Sequence, residues 1–167
     1  MVLSPQTPLI AKQSRTHRNG GLFMKYYLAY GSNLNIRHMA HRCPNAVPLC
    51  PGLLQDYRLI FRNYLTIEPL PGRSVPVEVW ELDEQGEQAL DYYEGYPGLY
   101  RKEFLPIKAD GQTLTAMVYI MNEDVYPYAL PHDSYYQTVL EGYEELGFDP
   151  QILRQAMEDT RLKLTES

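Results

Sequence analysis

The sequence predicts an α+β domain in which a mixed or antiparallel sheet, or a small β-barrel, carries flanking helices on one side. Its 167 residues suffice for one domain with a single core. Segments rich in aromatic and β-branched residues indicate five strands, and hairpin turns join some of them. The βαβ rhythm and the GxGxxG motif of a dinucleotide-binding fold are absent from the sequence.

The predicted strands are Tyr26–Tyr30, Tyr57–Arg62, Val75–Leu82, Arg101–Lys108 and Leu114–Met121. The last two are separated by Ala-Asp-Gly-Gln-Thr, in which Asp110 and Gly111 are typical of a tight hairpin turn. These two strands are therefore expected to pair antiparallel.

The predicted helices are Ile36–Arg42, Glu84–Tyr93, Ser134–Glu145 and Pro150–Arg161. Asn33 or Asn35 can cap the first helix, and Asp133 or Ser134 can cap the third. Gly147 is placed to end the third helix, because glycine adopts the left-handed conformation of a C-cap.

Composition restricts the class of function. The net charge is −6, which argues against a nucleic-acid-binding protein and against attraction to an anionic membrane. No run of 18 apolar residues is present to span a membrane. Tyrosine is over-used, with 15 Tyr against 4 Phe and 1 Trp. The excess fits a polar cleft lined by rings, and equally a core that uses tyrosine in place of phenylalanine.

Residues 1–23 differ from the rest, since they carry Lys12, Arg15 and Arg18 and no Asp or Glu. They lack the apolar region of a secretory signal. They fit either a transit-like leader or an upstream extension before a start at Met24. We expect a disordered extension over 1–23, one domain over 24–167, and a cytoplasmic protein.

Cysteine and histidine give little support to a metal site. Cys43 and Cys50 are too few for a disulfide framework or a four-ligand zinc site, so reduced thiols are expected. The four histidines show no HExxH spacing. The sequence therefore predicts neither a metal nor a cofactor.

The segment Tyr30-Gly31-Ser32-Asn33-Leu34 joins the first strand to the first helix. Its backbone N–H groups and the helix dipole would point at one small volume, which suits a carboxylate or an oxyanion. An ordinary strand-to-helix turn explains the same residues. Ser32 is not expected to be a nucleophile, because it does not lie in a GxSxG motif.

Glu94 is a candidate general base. In a helix over Glu84–Tyr93, its position shares a face with Gly86, Leu90 and Tyr93. Burial and the negative end of the helix dipole would both raise its pKa. A carboxyl that titrates near neutral pH can accept and return a proton. The alternative is an exposed glutamate at a frayed helix end.

Five motifs together, in this order and spacing, resemble those of a known family: YGSNLN, VWEL, LDYYEGYPGLY, AMVYIM and LPHDSYYQTVLEGYEELGFD. From about residue 25 to about residue 159, the chain resembles the gamma-glutamylcyclotransferase family, which has the AIG2-like fold. The bacterial-type branch is the most similar, because there a YGSN loop leads into a helix that ends in Arg-Cys-Pro, as at Arg42–Pro44.

The resemblance implies a small mixed barrel with flanking helices and one cavity. It implies that residues Tyr30 to Leu34 hold the gamma-glutamyl group, that Glu94 is the catalytic acid and base, and that Tyr100 and Tyr135 enclose the substrate. The implied reaction is an intramolecular aminolysis, without metal or cofactor, that yields 5-oxoproline and an amine or amino acid. The alternative function is a non-catalytic module that binds a small carboxylate. A monomer is favoured, with the oligomeric state left open.

Overall fold

The structure is a computed structural model that describes residues 24–166, so the expected extension over residues 1–23 lies outside the described residues. Its five strands are β1 (Lys25–Ala29), β2 (Val47–Arg62), β3 (Tyr64–Leu82), β4 (Tyr100–Ala109) and β5 (Gln112–Met121). They form a closed barrel in the order β1-β3-β2-β4-β5. Neighbours pair antiparallel except β1 and β5, which are parallel and close the barrel. The predicted α+β barrel is confirmed.

Four helices flank the barrel: α1 (Ile36–Arg42), α2 (Glu84–Glu94), α3 (Asp133–Leu146) and α4 (Gln151–Thr165). A short 3-10 turn, Ser32–Leu34, links β1 to α1. Among the described residues, no helix combines the length and the apolar character needed to cross a membrane.

Strands β2 and β3 are much longer than the sequence predicts. They form one hairpin that pairs from Val47 with Glu81 to Arg62 with Tyr64. Proline usually interrupts a ladder, and Pro48 lies in β2 where the sequence predicts no strand. The ladder tolerates the interruption because the register shifts between Pro48 and Cys50.

Strands β4 and β5 form the predicted antiparallel hairpin. Asp110 and Gly111 at its tip have φ angles of 52° and 69°. Two consecutive residues with positive φ are the geometry of a type I′ turn, which matches the twist of the paired strands. The Asp-Gly pair therefore determines this hairpin locally.

The helix ends agree in part with the predicted caps. The Asn35 side chain caps α1 by accepting a hydrogen bond from the His38 N–H at 3.3 Å. Gly147 ends α3 with φ 71°, as expected. The predicted cap of α3 was wrong, because the helix already begins at Asp133 and no side chain caps it.

Helix α3 packs directly on the segment that leads into α1. A Cβ atom added at Gly142 would lie 2.8 Å from the carbonyl carbon of Leu34 and 2.9 Å from the nitrogen of Asn35. These backbone atoms cannot rotate away as a side chain could. Asn35 also donates hydrogen bonds to the Thr138 carbonyl at 3.3 Å and to the Glu141 carboxylate at 3.2 Å. The helix thus fixes the position of the loop.

We expect Gly142→Ala to destabilise the protein by about 1–3 kcal/mol, because the added methyl overpacks the loop backbone. Helix propensity alone would give the opposite sign, a gain of about 1 kcal/mol. Urea unfolding measures the difference. Gln137→Ala, at an exposed position of the same helix, is the control. A Gly142→Ala variant at least as stable as the wild type would contradict the close packing.

Candidate active site

A cavity of about 250 Å³ opens between the loop, the end of α2 and the barrel. Its lining includes eight tyrosines: Tyr27, Tyr30, Tyr64, Tyr93, Tyr100, Tyr119, Tyr126 and Tyr135. Glu94 is the one carboxyl in this lining, and within residues 24–166 no Lys, Arg or His side chain contributes to it. Many of the tyrosines therefore line a polar cleft, which was one of the two interpretations of the tyrosine excess in the sequence.

Four residues of the loop line this cavity: Tyr30, Gly31, Ser32 and Asn33. Within the turn, the N–H of Leu34 donates to the Gly31 carbonyl at 3.0 Å, and the N–H of Asn35 donates to the Ser32 carbonyl at 3.1 Å. The N–H groups at the start of a helical turn have no partner inside it. The donors that can serve a ligand are therefore those at the start of the loop.

Leu34 does not belong to the cavity lining, although it was predicted as a binding residue. Its side chain is fully buried and faces α3 across the close contact with Gly142. Its N–H is used inside the turn. Leu34 therefore packs the loop from behind.

Gly31 allows the loop to pass close to Tyr135. A Cβ atom at Gly31 would lie 3.2 Å from the Tyr135 hydroxyl. That hydroxyl accepts a hydrogen bond from the Leu65 N–H at 3.1 Å, and the Tyr100 hydroxyl donates to the Leu65 carbonyl at 2.9 Å. One residue of β3 thus orients both predicted aromatic residues toward the cavity.

Glu94 is the last residue of α2, and Gly95 ends the helix with φ 64°. The Asn33 side-chain amide donates to the Tyr27 hydroxyl at 2.9 Å and to the Glu94 carboxyl at 3.4 Å. The loop and the candidate base are therefore in direct contact at one end of the cavity. The sequence predicted both groups but not this hydrogen bond.

Burial raises the pKa of Glu94 to about 7, and the nearby Arg42 guanidinium opposes this rise. Burial also raises the pKa values of Tyr27, Tyr30 and Tyr100 well above 10, so these hydroxyls stay neutral donors. The cavity therefore combines one carboxyl that titrates near neutral pH with hydroxyls that keep their protons.

Ion pairs hold α2 against the barrel. Lys102 on β4 lies 2.8 Å from both the Glu87 and the Asp91 carboxylates, and Lys25 on β1 lies 2.7 Å from Glu87. The Tyr119 hydroxyl donates to Asp91 at 2.6 Å. These contacts fix the helix that ends at Glu94. Sequence reasoning missed them, because their partners lie far apart in the chain.

The contacts of Arg42 with the site were also not predicted from the sequence. This residue lies at the end of α1, donates to the Asn33 side-chain oxygen, and stacks on the Tyr93 ring. The available signal was its place in the last turn of the helix that follows the loop. Throughout the described part of the chain, no three His, Cys, Asp or Glu side chains are grouped so that they could hold a metal ion.

The arrangement suits proton transfer beside a bound carbonyl or carboxylate. A carboxyl with a pKa near ambient pH can accept a proton and return it. Backbone N–H groups at a turn can stabilise a negative charge that develops on oxygen. Since Glu94 and the loop residues line one cavity, one small molecule could contact them together.

Residues 27–139 match the family described as gamma-glutamyl cyclotransferase, AIG2-like. The gamma-glutamylcyclotransferase of Mus musculus is 31% identical over 135 residues, which cover 72% of this chain and 71% of the mouse protein. The Homo sapiens protein of that name is also 31% identical over 135 residues, with the same coverage. A solved gamma-glutamyl cyclotransferase structure matches with a TM-score of 0.72 and 26% identity, over 81% of this chain and 87% of the other. The chain therefore belongs to the gamma-glutamyl cyclotransferase, AIG2-like, family and is an enzyme of that type.

Proposed function

We propose that the protein converts a gamma-glutamyl amine or gamma-glutamyl amino acid to 5-oxoproline and the free amine, with Glu94 as general acid and base. The observation that carries this proposal is that Glu94, with a pKa near 7, lines the same cavity as the loop residues Gly31 to Asn33. The mouse and human relatives, both named gamma-glutamylcyclotransferase, support this class of reaction.

Neutral donors would bind the gamma-glutamyl group. Because the described lining holds no cationic side chain, we assign the alpha-carboxylate or the developing oxyanion to backbone N–H groups at the start of the loop. Ser32, whose hydroxyl lies 3.2 Å from that of Tyr93, would position the substrate and would not attack it. Tyr30, Tyr100 and Tyr135 would enclose the glutamyl carbons.

The reaction is an internal acyl transfer. The substrate reacts as its free alpha-amine, which attacks the gamma-carbonyl carbon of its own molecule and passes one N–H proton to the Glu94 carboxylate. A carbon–nitrogen bond forms in the five-membered ring, and the bond to the leaving nitrogen breaks as that nitrogen takes the proton from Glu94. No water is consumed. Because nucleophile and electrophile belong to one molecule, the enzyme chiefly has to hold it in the folded conformation.

The leaving group would lie at the cavity mouth. The cavity, at about 250 Å³, is small for a whole drug-sized ligand and suits a glutamyl group. Tyr64, Tyr93 and Tyr126 line it and are 43%, 44% and 36% exposed, so their rings border the opening. A mouth of aromatic rings accepts amines of different lengths, which is why the proposal includes both classes of leaving group.

The direct test is incubation of the full chain with gamma-glutamyl amines and gamma-glutamyl amino acids, with chromatographic detection of 5-oxoproline. Formation of 5-oxoproline in stoichiometric amount with the free amine supports the cyclotransferase. Binding of these compounds without any 5-oxoproline would support a carboxylate-binding module instead and would refute the proposal.

We expect Glu94→Gln to lower kcat by about 10²–10⁴-fold, because the amide cannot exchange a proton. For the wild type, kcat/KM should rise with pH through about 7, as the carboxyl ionises. Initial rates of 5-oxoproline release measure both effects.

Glu78→Gln is the matched control. Burial also raises the pKa of Glu78 to about 7, but Glu78 does not line the cavity. Its variant should keep the wild-type rate and pH profile. The rise of kcat/KM with pH should be present in Glu78→Gln and absent in Glu94→Gln. The opposite result in either variant would show that a carboxyl other than Glu94 controls the rate.

The raised pKa also predicts how stability depends on pH. The folded protein binds a proton at Glu94 more tightly than the unfolded chain does, so stability falls as pH rises from about 4.5 to about 7. We expect Glu94→Gln to be more stable than the wild type by about 1–2 kcal/mol above pH 7, with the partial exposure of residue 94 limiting the gain. Urea unfolding at about pH 4.5 and pH 8 measures it. An equal difference at both pH values would show that ionisation of Glu94 does not destabilise the fold.

A further inference from the structure

Arg42 contacts both the loop and the end of α2. Its side chain is partly buried at the end of α1 and does not line the cavity. One of its NH groups donates to the side-chain oxygen of Asn33 in the loop. Its guanidinium carbon lies 3.4 Å from the centroid of the Tyr93 ring in α2. One side chain thus joins the loop to the residue immediately before Glu94.

The hydrogen bond from Arg42 fixes which way the Asn33 amide points. A guanidinium can only donate, so it requires the amide oxygen on its own side. The amide NH₂ group is then directed to the other side, where it donates to the Tyr27 hydroxyl at 2.9 Å and to the Glu94 carboxyl at 3.4 Å. If the amide turned over, its oxygen would oppose the Glu94 carboxylate. Asn33 is almost fully buried, at 2% exposure, so water cannot compensate for that reversal.

The stack on Tyr93 holds the Arg42 side chain against the end of α2. A guanidinium over an aromatic face is held by the attraction between its charge and the ring quadrupole. Tyr93 also meets the loop, since its hydroxyl lies 3.2 Å from that of Ser32. Movement of Arg42 would therefore remove one of the contacts that join the loop to the end of α2, besides the direct Ser32–Tyr93 and Asn33–Glu94 contacts.

We propose that Arg42 is a positioning residue of the reaction, which directs the Asn33 amide toward Glu94 and keeps the end of α2 against the loop. The kinetic effects expected from this inference rest on the proposed function. The electrostatic consequence of the inference, a change in the titration of Glu94, can be tested without turnover.

Arg42 is also the cation that bears on Glu94. Its charge works against the rise in the pKa of Glu94 that burial causes. Among residues 24–166, the other titratable side chains of the cavity lining are all tyrosines: Tyr27, Tyr30, Tyr64, Tyr93, Tyr100, Tyr119, Tyr126 and Tyr135. Burial raises the pKa values of Tyr27, Tyr30 and Tyr100 well above 10, so these hydroxyls stay neutral. Removal of the Arg42 charge should therefore move the titration of Glu94 to higher pH.

Two variants separate charge from geometry. Arg42→Gln can still donate to Asn33 but carries no charge, whereas Arg42→Lys keeps the charge but lacks the planar group that stacks on Tyr93. Arg37→Gln is the matched control, because Arg37 lies on the same helix, is 80% exposed, and has its carboxylate partner, Glu141, at 3.7 Å. It does not contact the loop amide.

The first measurement follows the Glu94 carboxyl by NMR in protein labelled with ¹³C at glutamate side chains, with Glu94→Gln to assign the signal. We expect Arg42→Gln to raise the Glu94 titration midpoint by about 0.5–1 pH unit, and Arg42→Lys and Arg37→Gln to leave it within about 0.3 unit. If the Glu94 titration midpoint is unchanged in Arg42→Gln, the claim that the Arg42 charge acts on Glu94 is wrong. This test stands even if the wild type forms no 5-oxoproline, an outcome that would refute the proposed function alone.

The second measurement is the pH profile of 5-oxoproline release. We expect Arg42→Gln to lose about 10-fold or more in kcat/KM at pH 7, with part of the loss recovered as pH rises. Arg42→Lys should lose kcat across the profile without a shift of its midpoint, because the carboxyl is charged but misplaced. If both variants fold and keep wild-type kcat, the positioning role is wrong. If Arg42→Gln does not fold, wild-type kcat in Arg42→Lys is by itself enough to overturn that role.

Discussion

Three segments of the chain meet at the side-chain amide of Asn33. Its oxygen accepts from Arg42 at the end of α1, and its nitrogen donates to Tyr27 on β1 and to Glu94 at the end of α2. Because an amide donates on one side and accepts on the other, these partners are satisfied together in a single orientation. The relative position of the loop and the carboxyl depends on this group.

The rest of the fold holds those segments in place. Gly142 lets α3 lie against the loop backbone, and Lys102 ties α2 to the barrel. The resulting enclosure removes much of Glu94 from water, which raises its pKa into the range useful for proton transfer. The same burial disfavours the ionised form of Glu94, so the site of the proposed reaction lowers the stability of the folded protein.

The features that the sequence predicted are those with local causes. The Asp110–Gly111 turn, the Asn35 cap and the helix ending near Glu94 each follow from neighbouring residues. The family resemblance brought the loop and Glu94 together, which no local pattern could do. The long β2–β3 ladder escaped prediction because prolines interrupt its pattern. The role of Arg42 could not be predicted from the sequence, because that role depends on which side of the Asn33 amide faces the helix. This orientation is set by tertiary contacts.

The central claim, that one gamma-glutamyl group contacts Glu94 and the loop together, is tested most directly by a crystal structure of Glu94→Gln with gamma-glutamyl methylamide. We expect the alpha-amine of the ligand to lie about 2.6–3.2 Å from the side-chain amide introduced at position 94. The alpha-carboxylate or the gamma-carbonyl oxygen should accept hydrogen bonds from backbone N–H groups between Gly31 and Asn33. A ligand bound outside this cavity, or one whose amine points away from position 94, would contradict the account.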